Sequence, residues 1–463
     1  MITPRFHLSQ NEKTFTITIR APYCSLKELD VQIDDETFLF YCKPYYLRLK
    51  LPGKIEEERN AHSQFNSDTG EFTFTYYKTN KGETFENLEF ITQFLQPKLE
   101  VHDDQDGRKI EVLSSSAPAE EVLESEEQYG FAQRGGYKFN FISSEFYDIF
   151  ELDPHEIPLK DRKELRLKSE KESFNFDHYL ADFIDCDEID SLVHEKSPWK
   201  TKLEKVNETE ADKTETKTFT NVELDFLKDL PNIIYEISSI QEQYAFTTLL
   251  DILFAYCYDR RINCFDSSCE SGWNILKLSA SMQWFDAFDT PKDAIIAGFR
   301  RALIYPLYRN FNLCTAVLED VKTLIKLGET EIIKVLIEIY GIFLGGDSAR
   351  YILNHLFIKD YVIFVQKWDK TKWRTIFDEI QSLLVKKSDL DLNLDEIEEL
   401  SNENEEEDEL NQQLKGLSIN SKKTNEELDS DDDESVDSDS DSTDSDDTNS
   451  ESESDTESES DSE

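Results

Sequence analysis

Through the first hundred positions, apolar and polar residues alternate one for one. In KTFTITIRA, Phe15, Ile17 and Ile19 fall on one face and Thr14, Thr16 and Thr18 on the other. TFLFYCK repeats the pattern with Phe38, Phe40 and Cys42, YYLRLKL with Leu47, Leu49 and Leu51, and EFTFTYYK with Phe72, Phe74 and Tyr76. Side chains of a strand point alternately to its two faces, so each segment predicts a strand with one face buried and one wet. Turn residues at Pro22, at Asp34–Glu36 and at Ser67–Gly70 separate them. About six short strands with no helix between them predict an antiparallel β-sandwich over residues 1–99.

The alternation stops at Glu100. DDQDGR and SSSAPAEE are polar and rich in turn residues, so 100–128 reads as a linker. YGFAQRGGYKFNF, Tyr129 to Phe141, is aromatic without helical periodicity and suits an extended arm packed onto a domain. A short helical segment around FDHYLADFID follows, then a polar stretch from Lys200 to Lys217, so 129–218 combines arm, short helix and linker. Beyond Phe219 the apolar period becomes 3.6. TPKDAIIAGFRRALIYP has Thr290 as an N-cap, Pro291 at the first helical position and Asp293 closing a capping box. Its apolar stripe is Ile295, Phe299, Ala302 and Leu303. The next helix carries Leu313, Val317, Val321 and Leu324 on one face and stops at Gly328. Three further segments continue in this way, which predicts an irregular all-α domain over 219–387 rather than a repeat array.

Charge changes the picture at the end of the chain. The 463 residues carry a formal net charge of −49, and residues 388–463 alone hold 32 Asp/Glu against 3 Lys. From Asp429 onward Ser and Thr alternate with acids, a composition that cannot build a core and predicts a disordered acidic tail over 388–463. Serines followed by acids suit an acid-directed kinase; the same tail could instead be a passive solubilising brush. Phosphate binding needs a basic surface, so nucleic acid and anionic membrane are poor main ligands, and basic proteins are better ones. The seven cysteines are scattered without a CxxC pair, and Cys257, Cys264 and Cys269 lack a nearby histidine, so buried free thiols are expected rather than zinc. The start MITPRFHLSQ is no signal segment and no apolar run reaches membrane-spanning length, so a reduced, intracellular, soluble protein is expected.

No phosphate-cradle, dinucleotide, zinc-protease or nucleophile-elbow motif occurs, and the seven histidines are dispersed, which points to a binding protein without cofactors rather than an enzyme. One stretch stands out in so acidic a chain: GFRRALIYPLYRN, from Gly298 to Asn310, holds three arginines and two tyrosines around Pro306. On the helix before Pro306, Phe299 and Leu303 lie on the buried stripe, Arg301 projects to the far side and Arg300 sits on the flank. Two readings stay open. The arginines complement the negative end of the helix dipole, or they reach a partner.

MITPRF at Met1–Phe6, PYYLRL at Pro44–Leu49, YGF at Tyr129–Phe131, FDHYLADF at Phe176–Phe183, ESGWNILKLSASMQWF at Glu270–Phe285 and GFRRALIYPLYRN together resemble the Shq family of assembly factors for H/ACA ribonucleoproteins. The resemblance covers most of residues 1–385 in order. It implies a CS/p23-like sandwich followed by the Shq-specific helical domain. It also implies a chaperone that holds the RNA-free, dyskerin-type pseudouridine synthase on its RNA-binding surface as an RNA stand-in. Hsp90 or AAA+ assembly machinery are further partners in this picture, with nucleus and cytoplasm as compartments. On the same basis the partner-binding residues are expected among Arg300, Arg301, Tyr305, Tyr308, Arg309, Tyr129, Phe131, Phe6 and Tyr46. Two other functions remain open: a generic Hsp90 co-chaperone with a helical client adaptor, and an acidic chaperone of basic nuclear proteins.

Overall fold

In the computed structural model of this chain, the alternating segments form two antiparallel sheets. β1 (Arg5–Gln10), β2 (Thr14–Arg20), β8 (Glu71–Lys78) and β6 (Ile55–Glu56) lie side by side, with β7 (His62–Asn66) also on β8. β3 (Asp30–Asp34), β4 (Thr37–Cys42) and β5 (Tyr45–Lys50) make the second sheet. The structure describes residues 1–34, 36–56, 62–80, 82–96, 100–103, 109–112, 128–136, 146, 148–184, 187–208, 218–346 and 349–400. Phe15, Ile17 and Ile19 of β2 and Phe38 and Phe40 of β4 are buried, while the threonines between the β2 residues are only partly so, as alternation requires. Phe40 meets Phe72 edge-on at 5.2 Å between ring centroids, one of several aromatic pairs that close the sandwich. Beyond it, Glu100–Asp103 pairs antiparallel with Lys109–Val112, inside a stretch expected to be linker.

The helical body starts well before the change of period. α1 (Leu159–Ser173), α2 (Phe176–Ile184), α3 (Asp187–His194) and α4 (Pro198–Glu208) precede α5 (Asn221–Leu227). The polar stretch from Lys200 is therefore helical as far as Glu208. α6 (Ser239–Ile262) is buried from Ala245 to Arg261 and is the central post of the domain. Around it stand α7 (Ser271–Leu278), α8 (Ala280–Gln283), α9 (Pro291–Ala302), α10 (Phe311–Leu327), α11 (Glu329–Gly345), α12 (Tyr351–Leu353), α13 (Lys359–Lys367) and α14 (Lys370–Ser382). α9 opens as expected, with the Thr290 hydroxyl accepting from the Asp293 N–H at 3.1 Å. The Asp293 carboxylate accepts from the Thr290 hydroxyl, not from its backbone, so the box is not closed in the expected way. Gly298 lets α9 approach α6 closely: a Cβ there would stand 2.5 Å from the Phe254 ring.

Two boundaries differ from expectation. The tail does not begin at 388. Leu390, Leu392, Leu394 and Ile397 are buried, and Arg300 donates to the Leu390 carbonyl, so residues 388–400 strap the helical body. The acid-rich tail expected beyond Leu400 lies outside the described residues. Nor is the sandwich detached from the helices. The Thr92 hydroxyl donates to the Leu227 carbonyl at 2.8 Å, and the Asn232 amide donates to the carbonyls of Gln93 at 2.9 Å and Leu95 at 2.7 Å. Arg5 is ion-paired with Asp225, and the buried apolar residues of both parts form one connected cluster.

Asp251, on α6, shows what that interior costs. It is wholly buried, accepts from the Ser279 hydroxyl at 2.5 Å and the Ser281 N–H at 2.9 Å, and its Oδ1 has no hydrogen-bond partner among the described residues. Burial, only partly offset by these donors, pushes its carboxyl up to about 6. A carboxyl raised in the folded state stabilises fully below its unfolded value, and that contribution is lost as pH rises through the folded value. Between pH 4 and pH 6 the parent should therefore lose about 2–3 kcal/mol relative to Asp251→Asn. Urea unfolding of both proteins across this range checks it; parallel pH profiles would contradict the assignment.

Candidate protein-binding face

The turn GFRRALIYPLYRN is a corner between α9 and α10. The Leu303 N–H caps α9 by donating to the Phe299 carbonyl at 3.0 Å, and the Asn310 side chain caps α10 by accepting from Asn312 at 2.8 Å and Leu313 at 3.1 Å. Neither arginine at the end of α9 faces solvent. Arg301 is 0% exposed and Arg300 4%. The Arg300 Nε donates to Glu170 Oε2 at 2.7 Å, and the Arg301 Nη1 to Glu170 Oε1 at 3.3 Å. Arg166 adds a third guanidinium on Glu170 at 2.7 Å and reaches Asp286 at 2.8 Å. Arg301 also donates to the Lys277 carbonyl at 2.7 Å and to the Gln283 side chain. The expected outward projection of Arg301 is thus corrected. α1, the 388–400 strap and the Lys277 and Gln283 groups close over the two arginines, so the C-terminal turn of α9 has no solvent side for them. Burial pushes the Glu170 carboxyl up, but Arg166, Arg301 and Arg300 outweigh that, and its net shift is downward.

The other expected residues separate into three groups. Phe6 is 1% exposed, opposite Ile19 in the sandwich core, while Tyr46 is half-buried opposite Tyr41 on β5. Tyr129 and Phe131 are 0% and 1% exposed and pin the arm onto the helical body. Tyr129 meets Phe285 at 5.9 Å, and Phe131 lies among Tyr235, Tyr361 and Phe364 at 4.8, 4.9 and 5.4 Å. Tyr305 is half-buried beneath the Arg301 guanidinium, 4.8 Å from its ring. Tyr308 and Arg309 are half-buried as well, and both tie the corner to α2 and α3. The Tyr308 hydroxyl donates to Glu188 Oε2 at 2.7 Å, and the Arg309 N–H donates to Asp182 Oδ2 at 2.6 Å.

What the corner supports is an acidic face. His178 hydrogen-bonds the Leu307 carbonyl at 2.9 Å, and Arg261 holds the end of α3 through the Glu195 carbonyl at 3.1 Å. On α2 and α3, Asp177, Asp187, Glu188 and Asp190 are exposed, and the carboxylates of Asp177, Asp187 and Asp190 have no partner among the described residues. Phe176, Ile184 and Leu307 stand among them at 40%, 48% and 67% exposure. Exposed apolar side chains ringed by unpaired carboxylates suit a basic protein surface. Of these acids the sequence singled out none individually. The signal was present in FDHYLADFIDCDEID, which alternates acids with bulky apolar residues.

Among the described residues, no group of three or more His, Cys, Asp or Glu is placed to hold a metal ion, and no helix is long and apolar enough to cross a membrane. Cys257 is buried as expected, but Cys264 and Cys269 are exposed free thiols, because α6 ends at Ile262 and both lie in the loop beyond it.

Comparison with known proteins adds two family matches. Residues 3–95 match the family described as "SHQ1-like, CS domain", and residues 208–394 match "SHQ1 protein, Shq1 domain". Protein SHQ1 homolog of Xenopus tropicalis is 36% identical over 419 residues, covering 86% of this chain and 69% of its own. Protein SHQ1 homolog of Caenorhabditis elegans is 34% identical, covering 79% of this chain and 88% of its own. Protein shq1 of Schizosaccharomyces pombe is 28% identical, covering 86% and 96%.

Proposed function

Because this chain belongs to the SHQ1 family, we propose that it is an assembly chaperone for the pseudouridine synthase of H/ACA ribonucleoproteins. It holds the RNA-free enzyme on its RNA-binding surface, in the nucleus and cytoplasm, and does no chemistry itself. The observation that carries this reading is the face of α2, α3 and the Leu307 corner. A surface that binds RNA phosphates is basic, and here unpaired carboxylates stand beside exposed apolar side chains on a rigid support. The acids would speed encounter and exclude RNA, while Phe176, Ile184 and Leu307 would supply the desolvated contact. Arg300 and Arg301 act from inside, by fixing α9 and hence the corner.

The test is Asp177→Lys/Asp187→Lys/Asp190→Lys in the full chain. All three side chains are exposed, so the melting temperature should stay close to that of the parent. Affinity for the RNA-free synthase should fall at least about tenfold, and its loss with rising salt should become shallower. The parent should also block guide RNA from the synthase, and the variant should block it less. Unchanged affinity of the variant, or tight simultaneous binding of RNA and this protein, would overturn the proposal.

A further inference from the structure

β4 ends at Cys42, and the connection that crosses from β2 to the second sheet passes this end at Cys24 and Ser25. The Ser25 N–H donates to the Lys43 carbonyl at 3.2 Å, which pins the connection beside the strand. The Cys42 thiol lies 3.4 Å from the Ser25 carbonyl and hydrogen-bonds the Cys24 thiol. A disulfide needs two side chains aimed at one another across neighbouring backbone, and here that arrangement exists while both thiols are free. The two sulfurs differ in access. Cys42 is wholly buried, whereas Cys24 is half-buried, next to the exposed Tyr23, whose φ of 60° turns the chain at the surface. Burial, the Cys24 contact and the charge of Glu28 push the Cys42 thiol up to about 12. A thiol that keeps its proton is a poor nucleophile, so a first attack falls to the sulfur that solvent reaches.

We propose that Cys24 and Cys42 are a redox modification site, which a small disulfide such as oxidised glutathione converts to an intramolecular disulfide. The Cys24 sulfur, having lost its proton to solvent, attacks one sulfur of the oxidant; the S–S bond of the oxidant breaks and its first thiolate leaves. A mixed disulfide then stands on Cys24, in contact with Cys42. The Cys42 sulfur gives up its proton, attacks the Cys24 sulfur and expels the second thiolate. Two protein thiols become one disulfide, the oxidant is reduced to two thiols, and the two released protons end on the two leaving thiolates. The new bond closes the chain around β3 and β4 and fixes the connection that carries the exposed Leu26 and Leu29. A crosslink of this kind stabilises mainly by restricting the unfolded chain.

The test is oxidised glutathione added to the full chain carrying Cys186→Ser/Cys264→Ser/Cys269→Ser, which leaves the pair with only the buried Cys257 and Cys314. Trypsin cuts after Lys27, between the two cysteines, so mass spectrometry of the monomer fraction reads a Cys24–Cys42 link as two joined peptides. That link should accumulate, disappear on reduction with dithiothreitol, and raise the urea midpoint of the oxidised protein above that of the reduced one. With Cys42→Ser added, Cys24 should instead build up its mixed disulfide with glutathione, about tenfold above the level in the parent, because the second attack is lost. With Cys24→Ser added, Cys42 should take up glutathione about tenfold more slowly than Cys24 does in the Cys42→Ser protein. Glutathione held on Cys24 in the parent without the link, or a link confined to dimers, would overturn the site. Equal uptake by the two cysteines would overturn the order of attack, and a linked protein with the urea midpoint of the reduced one would overturn the stabilising role.

Discussion

Glu170→Gln is expected to lower the unfolding free energy by about 3–5 kcal/mol, the range for breaking a buried ion pair by removing one partner. Glu170 is 0% exposed, and the guanidiniums of Arg166, Arg300 and Arg301 converge on it. With a neutral amide at its centre the cluster keeps, among the described residues, only Asp286, on Arg166, as an ion-paired carboxylate. The loss would reach the proposed binding face through the corner, because Arg300 and Arg301 fix the end of α9, from which Tyr305 to Asn310 depart. For the same reason Arg301→Ala should lower the melting temperature, the opposite of what an outward-facing arginine would do. The pH dependence has a definite sign. A carboxyl held below its unfolded value contributes stability that is full above the unfolded value and is lost as pH falls through the folded one. Urea unfolding at neutral pH measures the effect, with Glu164→Gln, exposed on the same helix, expected within about 0.5 kcal/mol of the parent. A Glu170→Gln protein as stable as the parent would mean that the cluster tolerates three arginines on a single carboxylate.

Phe131→Ala should cost about 3–5 kcal/mol, as for other fully buried phenylalanines. Its ring fills a pocket of Tyr235, Tyr361 and Phe364. Arg162 also grips this region, donating to the carbonyls of Ile157 at 3.0 Å, Phe285 at 2.9 Å and Pro154 at 3.1 Å. The truncated arm should therefore loosen from Gln128 to Gly136, which limited proteolysis would report as new cleavage there. If instead the variant kept its stability and lost only the proposed binding to the synthase, Phe131 would be a contact residue after all.

Phe15, Ile17 and Ile19 show what the sequence by itself determined. Strand alternation is set by backbone geometry within a few residues, so the inward face of the sandwich could be read directly. Caps are local in the same sense: Thr290 and Pro291 mark a helix start that the structure keeps. Only the tertiary structure decided the rest. α1, LKDRKELRLKSEKES, has almost no apolar stripe, because what it buries is Arg162, Arg166 and Glu170, a charged face meaningful only against Asp286, Arg300 and Arg301 more than a hundred residues away. The strap escaped notice because Leu390, Leu392, Leu394 and Ile397 are diluted among acids. The role of Arg301 turned on the same fact. A helical wheel divides a helix into an inner and an outer face, and that division holds only for a helix with solvent on one side. Burial depends on which distant segments arrive to cover a face, and no local period carries that information.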